Sequence, residues 1–304
     1  MDVTEFTELH KGAVPKISMA FPAGPTHQSA VNTIFNFIDH DRFRQDLTYF
    51  SQNFFTRYYR STTGIQSAEW LFARVKEVAA NRTDLVVTQV AHTGYDQRSI
   101  TARLAGRNAA GPLVIIGAHQ DSINVANSAN RSPGADDNGS GTMTVLEALR
   151  AIVDSGFRPE LPIEFQWYAA EEVGLLGSQA LAQTYKNQGV AVYSSFNVDM
   201  TAYTEPGLQI RVIQDNTDPA LSLFTTTIVE EYTTFTWRYH SCGYGCSDHS
   251  SWNRAGYPSS SIFEPKTNPQ IHTANDDLPL VDWDQTLGFV RLAVGIVVEL
   301  SYGA

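Results

Sequence analysis

The chain has 304 residues, of which 42% are hydrophobic, so it is long enough to bury the core of one large domain. Its formal net charge of -11, with no Lys or Arg cluster longer than a pair, argues against nucleic acid as a partner, because phosphates call for basic patches. No apolar run approaches the roughly 18 residues of a membrane span. We therefore expect the chain to bind neither nucleic acid nor a membrane; we also expect a monomer.

The beginning of the chain differs in pattern from the rest. Residues 1–28 contain prolines and show no sustained hydrophobic period, so we interpret them as an extended arm and residues 29–304 as a single domain. Three helices are predicted next, near 29–38, near 41–50 and from Ser67 to about 78.

Strands and helices alternate in the remainder of the chain. The central strands are apolar without alternation, which is typical of strands that helices cover on both faces. The sequence therefore predicts an α/β fold, a three-layer α/β/α sandwich with a mixed central sheet. We expect strands near 85–91, 98–105, 112–118, 162–169, 191–198, 208–214, 235 and 260, and helices near 141–153, 177–188, 219–232 and 283–301.

Polar side chains follow three of the central strands, at the point where each strand ends. His119 and Asp121 follow the first, Glu171 and Glu172 follow the next, and Asp199 ends the third. Two adjacent carboxylates at a strand end carry a large desolvation cost unless a metal ion or a proton transfer employs them. Because functional groups of open α/β sheets collect at the carboxyl ends of the strands, we expect one shared crevice.

These residues match a two-metal centre once two later features are added. His272 lies in a late loop, and the Asp136-Asp137 pair lies in a Gly-rich turn. Two zinc ions need about five ligands when one carboxylate bridges them. One aspartate and one glutamate of the two pairs would complete that set, and the residues alone leave open which. The other glutamate could move a proton, and Asp121 could orient the His119 imidazole.

Each residue taken alone has an ordinary interpretation. A single histidine is usually a core or loop residue, the Asp-Asp turn is typical of a helix cap, and the two glutamates could be a solvated strand end. Their coincidence at strand ends and in Gly-rich loops favours the metal centre.

The chain has two cysteines, Cys242 and Cys246, in the stretch Cys-Gly-Tyr-Gly-Cys. The two glycines let the backbone turn tightly enough to join them, so we predict a disulfide that holds Tyr244 in place and implies an oxidising compartment. Two buried thiols in a cytosolic protein are the alternative.

Three Asn-x-Ser/Thr sequons fit a secreted glycoprotein. They lie at Asn81, Asn130 and Asn138. A glycan on Asn138 would block the site beside Asp137, so we expect only Asn81 and Asn130 as candidates. No signal peptide is visible at the start of the chain.

An ordered set of segments resembles a known family. It comprises Gly-Ala-His-Gln-Asp-Ser at 117–122, Pro-Gly-Ala-Asp-Asp at 133–137, Ala-Ala-Glu-Glu-Val-Gly at 169–174, Val-Asp-Met at 198–200, Cys-Gly-Tyr-Gly-Cys-Ser-Asp-His at 242–249 and Ile-His-Thr at 271–273. The set is similar to the secreted co-catalytic zinc aminopeptidases, the leucyl aminopeptidases of bacteria and fungi, with a fungal-type member most similar. The resemblance implies a zinc-exopeptidase fold of the phosphorylase/hydrolase-like type.

The resemblance also implies roles for the site residues. Asp137 would bridge two zinc ions, with His119 and Asp199 on one ion and Glu172 and His272 on the other. Glu171 becomes the general base, and Tyr244 helps stabilise the oxyanion.

Three further residues, Met200, Phe263 and Ile271, would line an apolar side-chain pocket together with the disulfide ring. Ordinary core packing is the alternative for each of them. The loop between Phe263 and His272, which helps to wall the pocket in relatives, is short in this sequence. Residues 1 to about 20 resemble the end of a fungal propeptide.

We therefore expect a secreted zinc aminopeptidase, formed from a zymogen after loss of its signal peptide and propeptide. Its substrates would be peptides with a free amino terminus and a hydrophobic first residue such as leucine. A glutaminyl cyclase or a carboxypeptidase on the same fold is one alternative. A receptor-like module without activity is another, which the presence of Glu171 and all five ligands disfavours.

Overall fold

The computed structural model describes residues 20–207 and 209–303, and most of the predicted arm, residues 1–19, lies outside them. Eight strands in the described residues form one sheet in the order β1-β2-β4-β3-β5-β8-β6-β7. The strands are β1 Leu85–His92, β2 Tyr95–Leu104, β3 Leu113–His119, β4 Ile163–Tyr168, β5 Val192–Val198, β6 Ile210–Ile213, β7 Trp237–His240 and β8 Ser259–Phe263.

The sheet is mixed, as the sequence predicts. Strands β4, β3, β5 and β8 are parallel to one another, whereas β1, β2 and β6 join through antiparallel pairs. The carboxyl ends of the four parallel strands therefore open onto the same edge of the sheet. Any side chain that follows one of these strands is brought to that edge.

Helices cover both faces of the sheet, which confirms the three-layer prediction. Alternating residues of β3 show why, since Val114 and Ile116 belong to the larger core and Leu113 and Ile115 belong to a smaller one on the opposite face. The helices are α1 Gln28–Phe35, α2 His40–Gln52, α3 Thr62–Ala79, α4 Gly141–Asp154, α5 Leu176–Gln188, α6 Pro219–Tyr232, α7 His249–Ala255 and α8 Trp283–Leu300. Helices α5 and α7 pack on the smaller core, and the others pack on the larger.

The prediction that the third helix begins at Ser67 is wrong. Helix α3 begins at Thr62, because the Ser61 side chain accepts a hydrogen bond from the Gly64 N–H at 2.9 Å and caps the helix. Ser67 lies inside the helix, where its hydroxyl donates to the Gly64 carbonyl. The sequence pattern did not predict this start because Gly64 lies in the first turn and glycine is a poor helix former.

Helix α7 is absent from the sequence-based prediction, because seven residues are too few to show a clear helical period. The other predicted elements are found, with ends shifted by a few residues. In the described part of the chain, no helix has the combined length and apolarity that crossing a bilayer requires.

Candidate metal centre

The predicted site residues meet at the carboxyl edge of the sheet. His119 is the last residue of β3, Glu171 and Glu172 follow β4, and Asp199 follows β5. His272 reaches the same place from the loop between β8 and α8. Strands β3, β4 and β5 are direct neighbours, so their ends place these side chains within contact distance.

Asp137 lies between the two histidines. Its Oδ1 is 3.2 Å from Nε2 of His119, and its Oδ2 is 3.0 Å from Nε2 of His272. The His119 nitrogen is also 3.3 Å from Oδ1 of Asp199, and the His272 nitrogen is 3.0 Å from Oε2 of Glu172. The five residues thus form two groups that share the Asp137 carboxylate.

The residues present fit zinc. Oδ1 of Asp199 and Oε1 of Glu172 are buried without a hydrogen-bond partner, which is costly for a carboxylate unless a cation is near. Imidazole nitrogen and carboxylate oxygen are the donors that zinc takes in catalytic sites. Ligand atoms of His119, Asp137 and Glu172 lie within 4.8 Å of one another, as do those of His119, Glu171 and Asp199. Glu171 therefore borders the ligands.

The charges of the site favour bound cations. Burial opposes a charged His119 imidazole, yet the carboxylates of Glu171 and Asp199 raise the pKa of His119 well above its usual value. Burial likewise opposes charge on His272, and Glu172 and Asp137 raise its pKa to about 12. At both imidazoles the nearby carboxylates therefore affect the pKa more than burial does, as expected where acidic groups surround a cation site.

Burial is the largest influence on both glutamates. It raises the pKa of Glu171 well above its usual value, against the opposing effect of His119. Burial and the neighbouring Asp137 raise the pKa of Glu172 to about 7. A carboxylate with a raised pKa is a stronger proton acceptor, which agrees with a role in proton transfer for one of the two.

Asp121 holds the chain segment that carries the two glutamates. Its Oδ1 accepts a hydrogen bond from the Glu171 N–H at 2.9 Å, and its Oδ2 accepts one from the Glu172 N–H at 3.2 Å. Nδ1 of His119 is 3.5 Å from Oδ1 of Asp121, which is longer than a well-formed hydrogen bond. Asp121 thus contacts the predicted imidazole and also fixes two backbone groups, which the sequence did not reveal.

The two aspartates of the Gly-rich turn face different ways. Oδ1 of Asp136 accepts a hydrogen bond from the Ala202 N–H at 3.0 Å, so this side chain faces the loop after β5. Asp276 holds the turn, since its two oxygens accept from the N–H groups of Asp136 and Asp137 at 3.1 and 2.9 Å. Only Asp137 of the pair therefore lies between the histidines.

The serine that follows the disulfide orients one carboxylate. Oγ of Ser247 donates to Oδ2 of Asp199 at 2.6 Å and accepts from Nδ2 of Asn197 at 2.9 Å. Neither Ser247 nor Asp276 was assigned a role from sequence. Both lie far from their partners in the chain. The sequence could have indicated them only by their position near site motifs, since Ser247 follows Cys246 and Asp276 comes four residues after His272.

Backbone strain is concentrated around the site. Ala170, Met200 and His272 have φ values of 56°, 52° and 60°, in the left-handed region that non-glycine residues seldom adopt. The first two adjoin Glu171 and Asp199, and the third is itself a site residue. Such strain persists only where surrounding structure stabilises it, which is common at functional sites.

Arg57 ties together the two ends of the loop that connects His119 to Asp137. Its guanidinium is fully buried and donates to the carbonyls of Gln120 at 2.9 Å and Gly134 at 2.8 Å, and also to that of Pro133. The two ends of this loop, each next to a predicted ligand, therefore share one buried donor.

We expect Arg57→Met to lower the free energy of unfolding by about 3 kcal/mol, because three buried carbonyls lose their donor. Arg60→Met is the matched control, since Arg60 is exposed, and it should change stability by no more than about 0.5 kcal/mol. Urea unfolding of the three proteins measures both values. Equal effects of the two substitutions would contradict this role for Arg57.

A cavity of ≈390 Å³ adjoins the metal centre. Met200, Phe263 and Ile271 line it, as the sequence predicts, together with Tyr244. Cys242 and Cys246 also line it and form the predicted disulfide. The sequence did not reveal two basic residues in the lining, Arg211 and His240.

The sequons differ in accessibility. Asn81 and Asn130 are exposed. Asn138 is fully buried, and its Nδ2 donates to the Val198 carbonyl at 3.0 Å while its Oδ1 accepts from the Gly141 N–H at 2.9 Å. Asn138 is therefore a structural residue with no room for a glycan.

Known proteins resemble this chain along most of its length. A probable leucine aminopeptidase of Arthroderma otae is 41% identical over 99% of this chain and 84% of its own length. The crystal structure of the LapA aminopeptidase of Legionella pneumophila superposes with a TM-score of 0.89 at 32% identity, over 98% of this chain and 81% of LapA. A Bacteroides thetaiotaomicron glutaminyl cyclase superposes with a TM-score of 0.68 at 19% identity, over 86% and 98% of the two chains, which shows the fold alone.

A family profile agrees with these relatives. The profile described as peptidase family M28 matches residues 99–297, which span every predicted ligand from His119 to His272. The match and the relatives that align over nearly all of this chain together show that it belongs to peptidase family M28, a family of zinc-dependent peptidases.

Proposed function

We propose that this chain is a zinc aminopeptidase that removes hydrophobic amino-terminal residues such as leucine from peptides. The observation that carries the proposal is the Asp137 carboxylate between His119 and His272, with Glu171 and an apolar-walled cavity beside it. The aminopeptidase names of the full-length relatives support the same activity.

Five residues would hold two zinc ions. Asp137 would bridge them, with His119 and Asp199 on one ion and Glu172 and His272 on the other. When bound, zinc supplies Lewis-acid activation of the scissile carbonyl and of the attacking water.

Glu171 would act as the general base and then as the general acid. Its carboxylate takes a proton from the attacking water and later delivers that proton to the departing amine. The hydrogen bond from the Glu171 N–H to Asp121 sets the backbone from which this side chain projects. Asp121 would thereby support catalysis by positioning Glu171.

Tyr244 would stabilise the oxyanion of the tetrahedral intermediate through its hydroxyl. The disulfide on either side of it restricts where this tyrosine can lie. Met200, Phe263 and Ile271 would receive the side chain of the first substrate residue, since apolar walls favour a residue such as leucine.

We extend the proposal to the whole chain. Residues 29–304 would form one catalytic domain, since strands from Leu85 to Phe263 share one sheet. A secreted protein is supported by the Cys242–Cys246 disulfide and by the exposed sequons at Asn81 and Asn130. Residues 1–20 would be the remnant of a propeptide, and the enzyme would work as a monomer.

Turnover of leucyl p-nitroanilide tests the activity. We expect release of p-nitroaniline that a chelator abolishes and that added zinc restores, with two zinc ions per chain by elemental analysis. Amino-terminal glutaminyl peptides, assayed for ammonia, and substrates with a free carboxyl terminus test the cyclase and carboxypeptidase alternatives. Activity on either of these without leucyl turnover would refute the proposal.

A further inference from the structure

One basic side chain in the cavity has no role in the proposed chemistry. Arg211, on strand β6, lines the cavity although its residue is only 7% exposed. Its Nε donates to the Glu264 carbonyl at 2.8 Å, but its Nη2 is buried without a hydrogen-bond partner. A buried donor of a charged group that lacks a partner is costly, and such groups usually have a function.

The sheet places Arg211 in the apolar wall of the cavity. Strands β6 and β8 are antiparallel, and Arg211 pairs with Phe263 across them. The guanidinium carbon lies 5.7 Å from the centre of the Phe263 ring. Ile213, two residues along β6 and so on the same face of the strand, packs with Met200 and Phe263. The wall that would receive the substrate side chain thus includes a cation.

We propose that Arg211 is a specificity-determining residue that binds a carbonyl oxygen at the far end of the substrate's first side chain. This inference rests on the proposed aminopeptidase function. The pocket would then accept amino-terminal glutamine as well as leucine. The glutamine carbons would pack on Phe263 and Met200, and the amide oxygen would accept a hydrogen bond from the part of the Arg211 guanidinium that faces the cavity.

The length of the two side chains agrees with this assignment. The oxygen of a glutamine side chain lies one bond beyond the methyl carbons of leucine, so it can reach a donor that leucine does not contact. Within the protein the Arg211 guanidinium donates to the Glu264 carbonyl through Nε. A leucine side chain would offer it no further acceptor, whereas a glutamine side chain would offer one. A neutral amide also avoids the repulsion that a substrate carboxylate would meet from the acidic residues Asp199 and Glu171.

A matched pair of substrates and a matched pair of variants test the proposal. Glutaminyl and methionyl p-nitroanilides have side chains of similar length and volume, and only glutamine has the oxygen. Arg211→Met removes the guanidinium from the cavity. Arg238→Met is the control, because Arg238 pairs with Arg211 on the neighbouring strand β7 and is exposed. The measured quantity is the ratio of kcat/KM for the two substrates, from the release of p-nitroaniline.

We expect Arg211→Met to lower the glutaminyl-to-methionyl ratio about tenfold, the usual effect of losing a hydrogen bond to a charged group. Arg238→Met should keep the wild-type ratio. If Arg211→Met does not fold, Arg211→Lys carries the test, because its shorter side chain lacks the planar pair of donors and should also lower the ratio.

Two results would overturn the inference while leaving the proposed function in place. The first is a protein that cleaves leucyl and methionyl p-nitroanilides but whose glutaminyl-to-methionyl ratio of kcat/KM is unchanged by Arg211→Met or Arg211→Lys. The other is an equal fall of the ratio in Arg238→Met, which would assign the effect to the general charge of this region. A wild-type protein that cleaves no amino-terminal substrate would refute the proposed function and this inference with it.

Discussion

Glu171→Gln should retain the wild-type zinc content and lower kcat for leucyl p-nitroanilide by about 1,000-fold. Glutamine has nearly the same shape as glutamate but cannot accept the proton of the attacking water, so the whole contribution of general-base catalysis is lost. The substitution leaves the Glu171 N–H in place, so its hydrogen bond to Asp121 is preserved. Steady-state kinetics and elemental analysis of the same sample measure both quantities.

Circular dichroism and thermal unfolding serve as controls for this substitution, and both should match the wild-type protein. Activity within a few-fold of wild type in a zinc-replete sample would contradict the assignment of Glu171 as the base. Loss of zinc together with activity would instead identify Glu171 as a ligand. This outcome must be tested because Glu171 lies close to His119 and Asp199.

Glu172→Gln should have the opposite pattern, with loss of zinc as the primary effect. The Glu172 carboxylate is 3.0 Å from the His272 imidazole, and its other oxygen is buried without a partner. Replacing a residue that only orients a ligand already lowers metal affinity about 10- to 100-fold, so loss of a ligand should lower it further. Titration with zinc in a competing chelator measures the affinity.

Activity of Glu172→Gln should return in part when excess zinc is added, whereas that of Glu171→Gln should not. The two side chains are chemically identical and adjacent in sequence, so each variant is the natural control for the other. Equal zinc affinity in both variants would contradict the division of roles between them.

Local patterns in the sequence predicted the layers of the fold well. Strand β3 is apolar up to its last residue, His119. That run predicted that both faces of the strand are covered, because strands buried on both sides need no polar alternation. The start of α3 was missed because Ser61 acts as its cap three residues before a glycine. Helix ends depend on single hydrogen bonds, which the hydrophobic period does not report.

The site could be predicted as far as its side chains adjoin strand ends. The proximity of His119, the Glu171-Glu172 pair and Asp199 was predicted in this way, because the topology of a parallel sheet brings such positions together. Strand ends alone left open which glutamate would bind metal. The positions of Asp276 and Arg211 at the site were not predicted, since hydrogen bonds and strand pairings between distant segments bring them there. Contacts of that kind are set by the folded geometry and leave no periodic mark in the sequence.

The Asp121 carboxylate has a consequence for how the active site can vary. Because it accepts hydrogen bonds from two successive N–H groups, it holds the backbone of the proposed base and that of the proposed ligand together. A backbone shift that moved Glu171 relative to a substrate would therefore also move Glu172 relative to His272. Substitutions of the two side chains can separate turnover from metal retention, whereas a change that displaces the backbone at this corner of the sheet would alter both.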